Sequence, residues 1–246
     1  ILSGLSFLPP FEKSKWISVT PEYDPYKYNS FPVNAARQIY DLTRELGAAT
    51  THAHERGLLG DMPDVLAFQS LVDATISAPE VIRSLFALLP QRDHELVVFD
   101  VNQRDVLRDM VSPELRIGMD KLRETPALPF RLLVVTNLAS GSLEVELRLR
   151  PAGESAEQTL PLDLAWPRGV LSLGHVALPF PADDPVYGVA PAAAGAVDYP
   201  LGALTVRGES GTLVVPLGDL ARLRSNPFFE VVRARVQQAV QDDLGG

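Results

Sequence analysis

Two residues of this chain have side chains suited to proton transfer. Asp73 follows the apolar run Val65-Leu66-Ala67-Phe68-Gln69-Ser70, and His175 lies in the segment Ser172-Leu173-Gly174-His175-Val176-Ala177-Leu178. An imidazole can take a proton from a hydroxyl near neutral pH and return it to a leaving group. A carboxylate beside it can orient the ring and stabilise the imidazolium that forms. The sequence therefore supplies a candidate acid and a candidate base.

Both residues also have simpler interpretations. An aspartate after a strand often serves only a turn or a helix cap, and a lone histidine is often structural. The remaining histidines are weaker candidates, because His52 and His54 lie on a polar helix end and His94 begins a strand. No group of His, Asp and Glu has the spacing of metal ligands, so we predict no metal and no cofactor.

The chain offers no nucleophile for such a pair. A nucleophilic serine on a sharp strand-to-helix turn requires the pattern Gly-x-Ser-x-Gly. The sequence contains no such pentapeptide and no cysteine. The nearest serine segments, Gly4-Leu5-Ser6-Phe7-Leu8, Ser140-Gly141-Ser142-Leu143 and Gly208-Glu209-Ser210-Gly211, lack a required glycine or the strand-to-helix context.

The elements that must position Asp73 form a β-α-β unit. Residues 65–70 and 94–101 are apolar runs typical of strands, and residues 78–89 between them have a helical spacing of apolar residues. Two parallel strands need such a crossover, and a strand that is apolar on both faces suits a covered parallel sheet. Asp73 then lies at the carboxyl edge of the strands, where open α/β sheets bind their ligands.

Composition limits the classes of function. The chain has 246 residues, 46% of them hydrophobic, and a formal net charge of −9. That charge disfavours non-specific nucleic-acid binding and a lipid-surface role, both of which need clustered Lys and Arg. No apolar run reaches the roughly 20 residues that span a bilayer. The absence of cysteine leaves the compartment open, and the start at Ile1 leads us to expect an excised or processed piece.

The rest of the chain divides into segments of different character. A helix is predicted from Pro32, with an apolar face through Ala35, Ile39, Leu42, Leu46 and Ala49. Later segments are predicted to be a charged helix at 104–124, a hairpin at 130–149, a connector at 153–167, a loop at 179–200 and a hairpin at 201–215. A last helix is predicted to begin after the cap residue Asn226 and to bury one stripe of residues, Phe228, Val232, Val236 and Ala239. The predicted organisation is 1–60 as a cap or lid segment and helix, 61–105 as the core unit, 106–170 as an insertion with an extra hairpin, and 171–246 as the histidine loop, hairpin and final helix.

Four aromatic residues occur close together near the amino end, between prolines. Tyr23, Tyr26, Tyr28 and Phe31 lie in a segment that proline keeps from forming a long regular element. They are either anchors that hold a surface loop on its own domain or rings that line a substrate pocket. We treat them as candidate substrate-binding residues.

Several segments together resemble the carboxyl half of bacterial α/β-hydrolases of the serine aminopeptidase and lysophospholipase-like group. These segments are Trp16-Ile17-Ser18-Val19, Pro21 to Pro32, Ala67-Phe68-Gln69-Ser70-Leu71-Val72-Asp73-Ala74-Thr75 and Gly174-His175-Val176-Ala177-Leu178-Pro179-Phe180. The resemblance implies an α/β fold, the carboxyl-terminal part of a hydrolase sheet with an added β-hairpin. It also implies a serine esterase in which Asp73 orients His175 and His175 activates a serine.

The family's amino-terminal half, with its serine and oxyanion-hole loop, has no counterpart here. We therefore expect an ester substrate and a partner, the amino-terminal half of the same protein, which carries the nucleophile. Without a neighbour the strand at 65–70 would present an unpaired apolar edge, which natural sheets avoid. The competing class is a non-catalytic binding or structural module, because a fold does not guarantee activity.

Overall fold

The computed structural model describes residues 15–73, 75–103, 125, 127–191, 200–202 and 223–245. The chain divides into two compact units, with the boundary between His52 and Ala53. The first unit contains the described residues up to His52, and the second contains the described residues from Ala53 onward. The second unit carries both Asp73 and His175.

The first unit contains a short antiparallel pair and most of the long helix that follows it. Strand β1 (Trp16–Ser18) pairs with β2 (Phe31–Pro32), and helix α1 (Val33–Glu55) begins directly after it. The helix predicted from Pro32 is thus confirmed. Its predicted buried face is wrong, because α1 has no buried residue, and Ile39, Leu42 and Leu46 are each more than half exposed. Periodicity showed an apolar stripe, but none of the described residues buries that stripe.

A mixed five-stranded sheet is the centre of the second unit. Its first three strands are parallel and its last two are added antiparallel, in the spatial order β3-β4-β5-β6-β7. The strands are β3 (Leu66–Ser70), β4 (Glu95–Phe99), β5 (Arg131–Asn137), β6 (Glu144–Arg150) and β7 (Gln158–Ala165). The described chain is therefore of the α/β type, with this sheet and the small antiparallel pair of the first unit.

The predicted β-α-β unit is present. Between β3 and β4 the chain forms helix α2 (Ala78–Ser84) and a 3₁₀ turn (Phe86–Leu88). Pro79 occupies the start of α2, where its missing N–H has no helical partner to lose. The helix is shorter than predicted because the 3₁₀ turn follows it, but the predicted apolar residues still contact the core.

The sheet separates two apolar clusters. Alternate residues of a strand point to opposite faces, so Leu96 and Val98 of β4 pack with Phe86 on one face, whereas Val97 and Phe99 pack on the other. The second cluster includes Phe228, whose ring lies 4.8 Å from that of Trp166, measured between ring centres. All five residues of β4 are buried, as expected for a central strand covered on both faces.

The prediction of a connector at 153–167 is wrong in part, because this segment contains the strand β7. Pro161 lies in this strand and cannot donate a ladder hydrogen bond, which is tolerated at the edge of a sheet. Leu162 and Leu164 are half-buried while Asp163 is exposed, so the segment alternates as an edge strand should. The segment predicted as an added hairpin forms the antiparallel pair β5 and β6, but β5 also pairs in parallel with β4, so its first arm belongs to the parallel sheet.

Helix α3 (Phe229–Gly245) ends the described chain. The Asn226 side-chain oxygen accepts a hydrogen bond from the Phe228 backbone N–H at 2.9 Å, in line with the predicted cap. The predicted apolar stripe is wrong beyond its first turns, because Val236 and Ala239 are exposed. The helix predicted at 104–124 and nearly all of the hairpin predicted at 201–215 lie outside the described residues. Among the described residues, no helix is both long enough and apolar enough to cross a bilayer.

Candidate functional site

Asp73 lies just beyond the carboxyl end of β3, in a tight turn. Its backbone N–H donates to the carbonyl of Ser70 at 3.2 Å, and the Leu71 N–H continues the parallel ladder by donating to the carbonyl of Phe99 at 3.0 Å. The turn therefore begins where β3 ends, and it keeps Asp73 at the same rim as the end of β4. The Asp73 side chain is 2% exposed.

The Asp73 carboxylate accepts several hydrogen bonds. Oδ1 accepts from the backbone N–H groups of Thr75 at 2.8 Å and Ile76 at 3.0 Å. Nε2 of Gln69 lies 3.4 Å from Oδ2 and donates to the carbonyl of Ile76 at 2.9 Å. These bonds are the ones expected if Asp73 only stabilises a turn after a strand, and they fix the direction of the carboxylate.

One further contact goes beyond a turn role. Nδ1 of His175 lies 3.1 Å from Oδ1 of Asp73, although the two residues are 102 positions apart in the chain. An ionised carboxylate can only accept, so Nδ1 carries the hydrogen in this bond, and Nε2 is left with its lone pair. The His175 side chain is 41% exposed, and among the described residues Nε2 has no hydrogen-bond partner.

The segment that carries His175 is held on both sides. Upstream, the backbone N–H of Asn102 donates to the carbonyl of Leu171 at 2.7 Å, and its side-chain amide donates to the carbonyl of Val170 at 2.9 Å. Downstream, the Asn226 side chain donates to the carbonyl of Leu178 at 3.3 Å. The chain on either side of the exposed ring is thus fixed to the ends of β4 and α3.

Gly174 precedes His175 in a turn, in which the carbonyl of Gly174 accepts the Ala177 N–H at 3.0 Å. A side chain at Gly174 would meet open space, and its backbone does not require glycine. The turn is therefore stabilised by buried neighbours rather than by glycine. Leu173 and Ala177, on the two sides of His175, have no exposed surface.

The other histidines have different surroundings. His94 is buried at the opposite, amino end of the parallel strands, where its Nδ1 accepts the Val65 backbone N–H at 3.0 Å. Its burial lowers the pKa of the His94 imidazole below the ordinary value of 6.5. His54 is exposed, with Nδ1 at 2.6 Å from the carbonyl of Leu88. Within the described residues, no three metal-ligating side chains converge.

The four aromatic candidates all belong to the first unit. Tyr26 is 73% exposed, Tyr28 is 90% exposed and Phe31 is 41% exposed, whereas Tyr23 is half-buried. The exposure of Tyr26 and Tyr28 does not fit the interpretation that these two rings anchor a surface loop on its own domain. Their contact with a substrate stays a prediction.

Polar residues that were not predicted complete the rim. Asp100, at the end of β4, accepts hydrogen bonds from the Thr136 hydroxyl at 2.8 Å and the Gln103 side chain at 2.5 Å, and Asn137 bonds to Asn102 at 3.1 Å. The signal for these residues was the one that pointed to Asp73, a polar residue directly after an apolar strand.

Comparisons with protein-family models, with curated proteins and with solved structures found no match to this chain. A function is therefore inferred from the geometry of the second unit.

Proposed function

We propose that this chain is the carboxyl-terminal portion of a serine hydrolase of the α/β-hydrolase type, which cleaves esters through an acyl-serine intermediate. The observation that carries the proposal is the 3.1 Å contact between His175 Nδ1 and the buried Asp73 carboxylate. It leaves Nε2, on a half-exposed ring, able to take a proton.

The chemistry follows from that arrangement. A serine hydroxyl beside Nε2 would lose its proton to His175 as the oxygen attacks an ester carbonyl, and the imidazolium would return the proton to the departing alcohol. Asp73 would keep the ring in the required tautomer and stabilise its positive charge. A water molecule would then release the acid by the same steps. No cofactor takes part in this scheme.

The sheet supports the placement of the nucleophile outside these residues. Among the described strands, β3 lies at one edge and pairs only with β4. Leu66, Ala67 and Phe68 of β3 are only half-buried, whereas every residue of β4 is buried. A further parallel strand beside β3 would cover these residues and bring its own carboxyl end to the rim that holds Asp73. We propose that the amino-terminal half of the protein supplies this strand and the serine.

Within this proposal the antiparallel strands β6 and β7 extend the hydrolase sheet beyond its parallel part. The aromatic residues Tyr23, Tyr26, Tyr28 and Phe31 remain candidates for contact with the acyl or alcohol group of the substrate. Amides are the second substrate class, since the same intermediate serves both.

Fluorophosphonate labelling and ester hydrolysis test the proposal on the full-length protein. The probe should label a serine in the amino-terminal half, and short p-nitrophenyl esters should be hydrolysed. His175→Ala should reduce kcat by about three orders of magnitude or more. His52→Ala, which removes an exposed imidazole from α1, should leave kcat unchanged. Unchanged turnover in His175→Ala would remove His175 from the mechanism.

A non-catalytic binding module is the second candidate. It is favoured by one observation, that no serine hydroxyl among the described residues hydrogen-bonds the His175 ring. If the full-length protein takes up no fluorophosphonate and hydrolyses none of the esters, this candidate replaces the first.

A further inference from the structure

Ser70 joins the two chain segments that carry Asp73 and His175. It is the last residue of β3 and has no exposed surface. Its hydroxyl donates to the carbonyl of Leu173 at 2.5 Å, across 103 positions of the chain. Its own carbonyl accepts the backbone N–H of Asp73 at 3.2 Å. One buried residue therefore bonds to the Asp73 turn through its backbone and to the His175 segment through its side chain.

The bonded atoms are close in sequence to the two functional side chains. Asp73 follows Ser70 by three residues, and His175 follows Leu173 by two. The Leu173 side chain is itself fully buried in the apolar cluster that contains Phe99 and Phe228. The carbonyl and the side chain together fix Leu173, and only one residue, Gly174, lies between it and His175.

Small displacements matter for the contact that Ser70 supports. A hydrogen bond between nitrogen and oxygen has its useful range between about 2.7 and 3.2 Å, and Nδ1 of His175 is 3.1 Å from Oδ1 of Asp73. A shift of the His175 segment by a few tenths of an ångström would weaken the bond. The imidazole would then lose the partner that sets its tautomer.

We propose that Ser70 is a positioning residue whose hydroxyl holds the His175 segment where Nδ1 meets Asp73. The inference rests on the proposed function, because it deepens the account of the same pair. Asn102 contributes a second attachment, since it binds the carbonyls of Val170 and Leu171 from the end of β4. Ser70 differs from Asn102 because it bonds to the Asp73 turn as well as to the His175 segment.

The test is the tautomer of His175, measured by nitrogen NMR on the ring-labelled full-length protein. A pH of about 9 is suitable, because ordinary imidazoles are neutral there. The wild-type protein should show hydrogen on Nδ1 and a bare Nε2. Ser70→Ala should shift part of the population to the form with hydrogen on Nε2. Ser70→Cys, which keeps a similar side chain with a weaker donor, should give a smaller shift.

The same variants should change turnover in the same order. Ser70→Ala should lower kcat about tenfold to a hundredfold through the misplaced base, with KM within about twofold of the wild-type value. Ser84→Ala is the matched control, because the Ser84 hydroxyl also donates to a backbone carbonyl, that of Glu80, but on the exposed surface of α2. It should change neither the spectrum nor kcat.

The outcomes separate this inference from the proposed function. A wild-type tautomer and kcat in Ser70→Ala would overturn the inference and leave the hydrolase intact. If Ser70→Ala does not fold, a wild-type tautomer in a folded Ser70→Cys would overturn it as well. If the protein hydrolyses no ester, the proposed function fails, but the tautomer still shows whether Ser70 positions His175.

Discussion

Arg235 of α3 binds the carboxylate of Glu95 in β4 through two nitrogens, with Nε at 2.7 Å from Oε1 and Nη2 at 2.5 Å from Oε2. Arg131 of β5 adds a third contact, with Nη1 at 3.2 Å from Oε2. The Glu95 side chain is 4% exposed, so this carboxylate is a nearly buried charge with two cationic partners. It connects the last helix to the amino end of the central strand.

Removal of this charge should destabilise the fold. Glu95→Gln leaves Arg235 without this carboxylate and leaves Arg131 with only its exposed partner Asp93. We expect the free energy of unfolding to fall by about 2 to 3 kcal/mol, because both arginines keep some contact with water. Urea denaturation followed by circular dichroism measures the loss. Glu230→Gln is the control, since its pair with Arg233 is exposed, and it should change the free energy little. Equal effects of the two substitutions would contradict the prediction.

Stability should fall in mild acid because of His94. Burial holds the pKa of His94 below its ordinary 6.5, so the unfolded chain binds this proton more readily than the folded chain. The contribution of neutral His94 is therefore complete above pH 6.5 and decreases as the pH falls below it. Once protonated, Nδ1 of His94 could no longer accept the hydrogen bond from the Val65 N–H.

The test for His94 is to measure the free energy of unfolding at a series of pH values from about 7 to 5. The wild-type slope should approach 1.4 kcal/mol per pH unit at most, which is about the limit for one proton. His94→Asn keeps an acceptor near Nδ1 but cannot take up the proton, so its curve should be flatter over the same range. The exposed substitution His52→Asn should reproduce the wild-type slope. A wild-type slope in His94→Asn would disprove the assignment.

Asp73→Asn should lower turnover by removing the negative charge beside His175. The backbone N–H groups of Thr75 and Ile76 donate to Oδ1, so the amide oxygen should take that place and still accept from Nδ1, but a neutral amide stabilises the imidazolium less. We expect kcat on short esters to fall by about two orders of magnitude or more. Asp163→Asn, at an exposed position of β7, should leave kcat unchanged. A loss below about tenfold in Asp73→Asn would mean that Asp73 serves the turn alone.

None of the other described strands pairs with the side of β3 that faces away from β4, which gives a prediction about association. The Glu95 N–H donates to the Val65 carbonyl and the Leu71 N–H donates to the Phe99 carbonyl, so alternation along β3 points the Leu66 N–H away from β4. The 246-residue chain produced alone should self-associate through this edge. Leu66→Pro removes the outward N–H and should reduce the associated fraction in size-exclusion chromatography with light scattering.

Leu66→Ala is the matched control for that experiment. It loses the same packing against the sheet but keeps the N–H, so it should associate as the wild type does. Equal dissociation by both substitutions would assign the association to the Leu66 side chain rather than to the strand edge. A monomeric wild-type chain would contradict the prediction outright.

The sequence predicted the β-α-β unit because its signals are local. Apolar runs, the crossover spacing and Pro79 each depend on neighbours within a few residues, and the position of Asp73 follows from the end of its strand. The contact with His175 was expected only from the resemblance to α/β-hydrolases. The bonds of Ser70 and Asn102 to the His175 segment, which define that contact, join residues too distant for any local pattern.

Other features of the fold could not be predicted from local sequence patterns. Pro161 and the polar residues around it obscured β7, because proline is tolerated at an edge but excluded from a central strand. The apolar stripe of α1 indicated burial, yet burial depends on a partner that periodicity does not reveal. The pair of Glu95 and Arg235 joins a strand and a helix separated by 140 positions.

The route from β4 to His175 runs out through β5, β6 and β7 and then returns to the rim, where the carbonyls of Val170, Leu171 and Leu173 are attached to Asn102 and Ser70. The position of the imidazole depends on where the chain returns to the rim. The length of the chain in between does not affect this position. Lengthening the exposed connection at 154–157, which joins β6 to β7 at the opposite end of the sheet from Asp73, should leave the proton-transfer geometry untouched. This stretch is thus the natural place to graft a tag, a reporter or a new binding loop.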